Sequence, residues 1–216
     1  MAVAVGGDFE AVGRLERCLL LQQGLRPEQT LIDVGCGSGR LATQLRDFLG
    51  GLYVGIDIVP ELLEHARTLC ARDDWKFERA PGLEIPVESD SADFVTFFSV
   101  FTHLTHEETY RYLQESHRVL KPGGKVVFSF FEFRLPLHWL IFETVLNDAN
   151  PHKVLNQFMD RDAIRAWAEH AGFVVAEIHD GDKPHIALDA TVHFEDGREM
   201  HGLGNLGQSV CVLVKT

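Results

Sequence analysis

Residues 31–40, LIDVGCGSGR, restrict what this chain can fold into more than any other stretch. Leu31, Ile32 and Val34 form a short apolar run of the kind that fills a buried parallel strand. Gly35, Gly37 and Gly39 follow at alternate positions, and Leu41, Ala42 and Leu45 then begin a helical pattern. A strand that ends in a glycine turn and opens a helix lets a ligand's polar groups approach the backbone and the helix N-terminus. The stretch therefore predicts an α/β fold with a ligand site at the C-terminal ends of its strands.

A second strand is predicted over residues 52–58, LYVGIDI, and it ends on Asp57, about twenty residues past Gly35. A carboxylate at that distance can accept hydrogen bonds from both hydroxyls of a ribose, so the ligand is expected to carry a nucleoside. A dinucleotide fingerprint, G-x-G-x-x-G, would need a glycine at position 40, where Arg40 stands, which argues against a nicotinamide-dependent oxidoreductase. G-x-G-x-G preceded by Asp33 resembles the cofactor loop of class I S-adenosylmethionine-dependent methyltransferases, and the resemblance extends along nearly the whole chain.

With 216 residues and 45% hydrophobic content, the chain suits a single domain, residues 1–216, with a full core. A net charge of −12 argues against nucleic acid as a partner, since phosphate binding depends on Lys and Arg. No window approaches a membrane span of roughly 20 apolar residues, so no membrane partner is expected. The first residues lack the charged and apolar regions of a signal peptide. Cys18, Cys36, Cys70 and Cys211 are scattered without a C-x-x-C pair, as in a cytoplasmic protein with reduced thiols. No internal repeat or low-complexity tract divides the chain.

Taken in order, residues 9–25 carry helical spacing at Phe9, Val12, Leu15, Leu19 and Leu20, inside an N-terminal cap over 1–29. Pro60 opens a helix over 60–72, and a third strand is expected at 75–79. Residues 92–99 read as the central fourth strand, with Asp93 at its start in a structural role. Thr105 and Glu108 form a capping box for a helix that runs to about Val119. Lys121-Pro122-Gly123-Gly124 turns into a fifth strand over 125–131. Pro136 opens a very apolar helix, and Asp160 caps another that Gly172 ends. The last strands are expected at 173–179 and 209–215, with an insertion over 182–208 whose Asp196-Gly197 signals a β-hairpin. The resulting expectation is a doubly wound, Rossmann-like sheet of about seven strands. It is mostly parallel, with a C-terminal antiparallel strand and helices on both faces.

The resemblance implies S-adenosylmethionine as cofactor, S-adenosylhomocysteine as product, and a site made by Asp33, Gly35, Cys36, Gly37, Gly39, Asp57, Ile58 and Ser99. Relatives carry a Gly-Asp-Ala-like turn after the third strand for adenine; here Pro81 replaces that Asp, which leaves the backbone at Gly82 and Leu83 to read the base. The N-terminal helix would cover the methionine end, where Arg14 could meet its carboxylate. His103, just beyond the fourth strand, is expected at the acceptor as pocket wall or general base. Residues 132–158 fall where relatives place acceptor-binding inserts, which makes them an expected lid with His138, Trp139 and Phe142 facing the substrate. Such a lid suits a small organic molecule or a glycan. His185, His193 and His201 lack the spacing of a metal site, so no metal is expected.

A non-catalytic scaffold of the same fold remains an alternative, opposed by the intact glycine turn and Asp57. A protein methyltransferase is another, although residues 98–101 read FSVF where an Asn-Pro-Pro-Tyr motif would stand. Oligomeric state is not legible.

Overall fold

In the computed structural model, which describes residues 8–216, helices cover both faces of a twisted sheet. The first seven residues of the expected N-terminal cap lie outside the described residues. The chain runs α1 (Phe9–Gln22), β1 (Leu31–Val34), α2 (Arg40–Leu45), β2 (Tyr53–Asp57), α3 (Pro60–Cys70), β3 (Lys76–Arg79) and β4 (Ala92–Phe97). It continues through a single 3-10 turn (Phe101–His103), α4 (His106–Val119), β5 (Leu120–Phe130), α5 (Pro136–Asn147), α6 (Arg161–His170) and β6 (Phe173–His179). Four short strands follow, β7 (Ile186–Ala187), β8 (Val192–His193), β9 (Glu199–Met200) and β10 (Leu203–Gly204), before β11 (Ser209–Lys215).

Seven strands form the main sheet in the order β3-β2-β1-β4-β5-β11-β6. β11 alone runs antiparallel to its neighbours, as expected for the C-terminal strand. The strand order reverses direction between β1 and β4, which places the C-terminal ends of those strands at a ligand-binding crevice.

The period of two along each strand sorts the core into two layers. Leu31, Phe94, Val210 and Val212 face α1, α2 and α3. Ile32, Val34, Val95, Cys211 and Leu213 face α4 and α6. All four cysteines are buried as free thiols.

Local signals explain the element ends. Asp8 caps α1, and the Thr105–Glu108 capping box is formed in both directions at α4. Asp93 accepts from the Thr30 N–H at 2.8 Å and pairs with Lys121 at 2.9 Å, a structural role. β8 and β9 form the hairpin around Asp196-Gly197. β5 begins at Leu120 and not at residue 125, because the Lys-Pro-Gly-Gly turn stays within the strand as a register shift against β4. No helix among the described residues is long and apolar enough to cross a membrane.

Candidate functional site

The glycine turn between β1 and α2 is built from backbone that a side chain would obstruct. Gly35 has φ +76°, and a Cβ there would come within 2.3 Å of the Val100 side chain. Gly39 has φ +91° and faces α3, where a Cβ would meet Ala66 at 3.0 Å. Gly39 is therefore a packing residue of the α2–α3 contact, and it is not among the residues that line the cavity described next.

A cavity of about 650 Å3 opens over the C-terminal ends of β1, β2 and β4, within the usual range for small-molecule sites. Asp33, Gly35, Cys36, Gly37, Asp57, Ile58, Ser99 and His103 all line it, so most residues singled out in the sequence meet at one place.

Asp57 organises the turn. Its Oδ2 accepts from the Gly37 N–H and its Oδ1 from the Val59 N–H, both at 2.9 Å. A carboxylate offers about four acceptor positions, so these two bonds orient it and leave capacity for ligand hydroxyls. Ile58 stands beside it with 71% of its surface exposed, an apolar wall with no protein partner for most of its area.

Asp33 lies deeper, 4% exposed, and accepts from the Tyr53 hydroxyl at 2.6 Å and the Thr96 hydroxyl at 2.8 Å. Burial pushes its carboxyl up to about 7, with both hydroxyls opposing the shift. Two residues missed in the sequence complete this end. Arg40, which had served only to exclude a dinucleotide motif, forks onto Glu16 of α1 with contacts of 2.5 and 3.3 Å. Both are nearly fully buried and both line the cavity. Burial pushes the Glu16 carboxyl up while Arg40 opposes it.

Arg14 is elsewhere. It pairs with Asp189 of the insertion at 2.8 Å, and Arg17 joins the same carboxylate at 2.7 Å. A cation was expected from α1, but the cavity receives its arginine from α2. The adenine expectation needs a similar correction. Gly82 gives its carbonyl to the Tyr112 hydroxyl at 3.1 Å, and Leu83 packs against the α4 side of the core. Glu115 and Arg118 draw the following loop onto α4 through Ile85 and Val87, and only Ala80 of this segment lines the cavity.

At the opposite end, Ser99 adopts φ +59°, an uncommon conformation for a residue with a side chain. Its N–H donates to the Ser129 hydroxyl (2.8 Å), Ser129 donates to Gln208 Oε1 (2.7 Å), and Gln208 Nε2 donates back to Ser99 Oγ (3.0 Å). Gln208 reaches this ring because β11 pairs with β5, with Val210 opposite Ser129. No local sequence signal marks it.

His103 lines the cavity, and its Nδ1 lies 2.8 Å from the Leu155 carbonyl oxygen. A carbonyl only accepts, so Nδ1 carries a proton, and in the neutral ring the lone pair falls on Nε2. His138 does something different. Its ring is fully buried, with Nδ1 accepting from the Glu132 N–H (3.0 Å) and Nε2 donating to the Gly207 carbonyl (2.9 Å). It anchors α5 and does not line the cavity, and neither Trp139 nor Phe142 does so. Those two rings belong to an aromatic cluster outside the cavity mouth. Among the described residues no group of three or more His, Cys, Asp or Glu could hold a metal ion.

A methyltransferase domain family matches residues 32–128. The sterol 24-C-methyltransferase of Pneumocystis carinii is 30% identical over 119 residues, which is 53% of this chain and 31% of that protein. The chain spans about a third of the length of the curated relatives it matches first. Among solved structures, an S-adenosylmethionine-dependent methyltransferase from Methanosarcina mazei superposes with TM-score 0.65 at 19% identity, over 91% of this chain and 96% of that one. Magnesium protoporphyrin IX methyltransferase from Synechocystis, solved with S-adenosylhomocysteine bound, gives 0.67 at 16% identity, over 95% of this chain and 84% of that one. At these identities the structures establish the shared fold.

Proposed function

We propose that this chain, whose residues 32–128 match a methyltransferase domain, is a class I S-adenosylmethionine-dependent methyltransferase that methylates a small organic acceptor with His103 as general base. The observation that carries the reading is the His103–Leu155 hydrogen bond, which makes Nε2 the basic nitrogen of the neutral ring in the cavity that the glycine turn and Asp57 also line.

The donor set fits the cofactor. Asp57 keeps acceptor capacity for a ribose, Ile58 offers an apolar face to a base, and Arg40 with Glu16 and Asp33 matches the opposite charges of an amino-acid end. When bound, S-adenosylmethionine supplies a methyl group on a sulfonium sulfur, which departs as the thioether S-adenosylhomocysteine with the S–C electron pair. His103 Nε2 receives the proton that the acceptor loses, and the bonded carbonyl on Nδ1 steadies the ring as its charge rises. Phe98, Leu104, Phe131 and Leu206 make the wall near His103 largely apolar, which favours an organic acceptor over a glycan. The charge of −12 favours neither nucleic acid nor an anionic surface as partner.

Calorimetric titration with S-adenosylhomocysteine tests the cofactor half. Saturable binding is expected, weakened by about 1.5–3 kcal/mol in Asp57→Ala. Tighter binding of NAD would overturn the reading. For the acceptor half, His103→Gln should leave that affinity unchanged and lower turnover about 100-fold or more. Unchanged turnover would remove the base role.

A further inference from the structure

We infer that the acceptor has an extended apolar body that leaves the cavity and rests on the exposed Phe133 and Trp139 rings, the outer part of an aromatic strip rooted at Phe131 in the cavity wall, with its reacting group at His103. The inference rests on the methyl-transfer reading above and names the kind of molecule that site takes.

Ring contacts run from the cavity wall to the exposed rings, with Phe158 buried between them as their support. Phe131, which lines the cavity, meets Phe158 at 5.5 Å between ring centroids. Phe158 stacks on Phe133 at 4.7 Å and 15°, Phe133 meets Phe142 at 5.4 Å, and Phe142 meets Trp139 at 5.1 Å. Phe133 and Trp139 remain about half exposed, as do Leu137 and Leu140 beside them. A run of large exposed apolar side chains this dense marks a surface that a ligand or partner covers.

What covers it follows from the attachment of the strip and from its charge. Leu155, itself exposed on the returning chain, supplies the carbonyl that fixes His103, and the next residue, Asn156, lines the cavity. Both ends of the exposed segment are thus joined to the wall of the reaction chamber. α5 carries no Lys or Arg, and its one acidic side chain, Glu143, accepts from the Trp139 indole N–H at 3.0 Å. Helices that lie on lipid surfaces are rich in basic residues; this one has none, on a chain of net charge −12. An acceptor with its polar end at His103 and its apolar body on the rings accounts for the placement and for the absence of basic side chains on α5; Arg134 just before it faces Glu132 at 4.0 Å, and Lys153 is bound to the Val145 and Asp148 carbonyls.

The strip is also held in place before binding. His138 joins the root of α5 to the Glu132 and Gly207 backbone, and Glu132 is held in turn by Arg161 and the Ser209 hydroxyl. A platform fixed in this way lets an apolar body bind without first ordering the helix.

The probe is a series of 4-alkylphenols from methyl to hexyl, titrated into protein saturated with S-adenosylhomocysteine. Affinity should rise about fourfold per added methylene. A Phe133→Ser/Trp139→Ser double variant should lose that dependence with melting temperature and S-adenosylhomocysteine affinity unchanged. Wild-type affinity that stays flat with chain length, or no binding of any phenol, overturns the inference while leaving the cofactor reading intact. Failure of S-adenosylhomocysteine itself to bind overturns the methyl-transfer reading and this inference with it. A flat series beside co-sedimentation with phosphatidylcholine vesicles that the double variant abolishes assigns the strip to a lipid surface and also overturns it.

Discussion

The buried inner end of the cavity and the α5 segment outside it invert the usual distribution of side chains in opposite ways. At the α1–α2 end, Glu16, Asp33 and Arg40 are charged or ionisable and almost wholly buried. At the α5 end, Phe133, Trp139 and Leu140 are apolar and face water. Buried polar groups and exposed apolar patches are the informative departures from ordinary burial. The inner end is finished by the fold, since every one of its carboxylates has a protein partner. The outer region has packed rings that stay exposed, so a substitution there removes little contact with the rest of the protein.

Substitutions at the inner end should cost stability and those at the outer end should not. The largest effect is expected for Glu16→Ala, which removes the carboxylate that two nitrogens of buried Arg40 contact. A loss of about 3–5 kcal/mol in urea unfolding is expected; a loss below about 1 kcal/mol would mean the pair is solvated.

Asp33 sharpens the same point through pH. Its carboxyl is held at about 7 when folded against 3.8 as the reference. A raised acid binds its proton more tightly in the folded chain, so this contribution is full below pH 4, declines from 4 to 7 and is absent above. Asp33→Asn stays neutral, and should remove a decline of at most about 4 kcal/mol from the pH 4–7 window. Urea midpoints at pH 4 and 7 check it, and an unaltered slope would mean Asp33 is ionised throughout.

Gly35→Ala comes next. Its Cβ would overlap Val100 in a left-handed backbone, for an expected cost of roughly 2–4 kcal/mol together with weaker cofactor binding. Melting and titration measured on the same sample test both. The smallest effect is expected for Leu140→Ser, 59% exposed, where stability should change by less than about 0.5 kcal/mol. A loss of several kcal/mol there would place α5 in the core and end the comparison.

The glycine turn and Asp57 were legible because their signals are local. A strand, three glycines and a helix must be contiguous to make the turn, and Asp57 follows one crossover later, so its distance along the chain reports its place in space. Capping at Thr105 and the hairpin at Asp196-Gly197 were readable for the same reason, since each closes within a few residues. The α5 helix was legible as a helix. Its exposure was not, because an apolar run has the same composition whether it is covered or bare.

What the sequence by itself determined is the order of strands and helices, the two-layer core and the position of the glycine turn, all set by periodicity and by residues near one another in the chain. Only the tertiary structure decided that Arg40 and not Arg14 enters the cavity, because a cation goes where a carboxylate offsets its desolvation, and Glu16 and Asp189 lie on different sides of α1. It likewise decided that Gln208 closes a ring with Ser99, through antiparallel pairing across 79 residues between Ser129 and Gln208. It gave the two histidines opposite tasks as well. His103 has one ring nitrogen bonded to a carbonyl, whereas His138 meets an N–H on one nitrogen and a carbonyl on the other and is fully spent. A side chain's chemistry is fixed by its residue type, but the partners that use it up are chosen by the packing of distant segments.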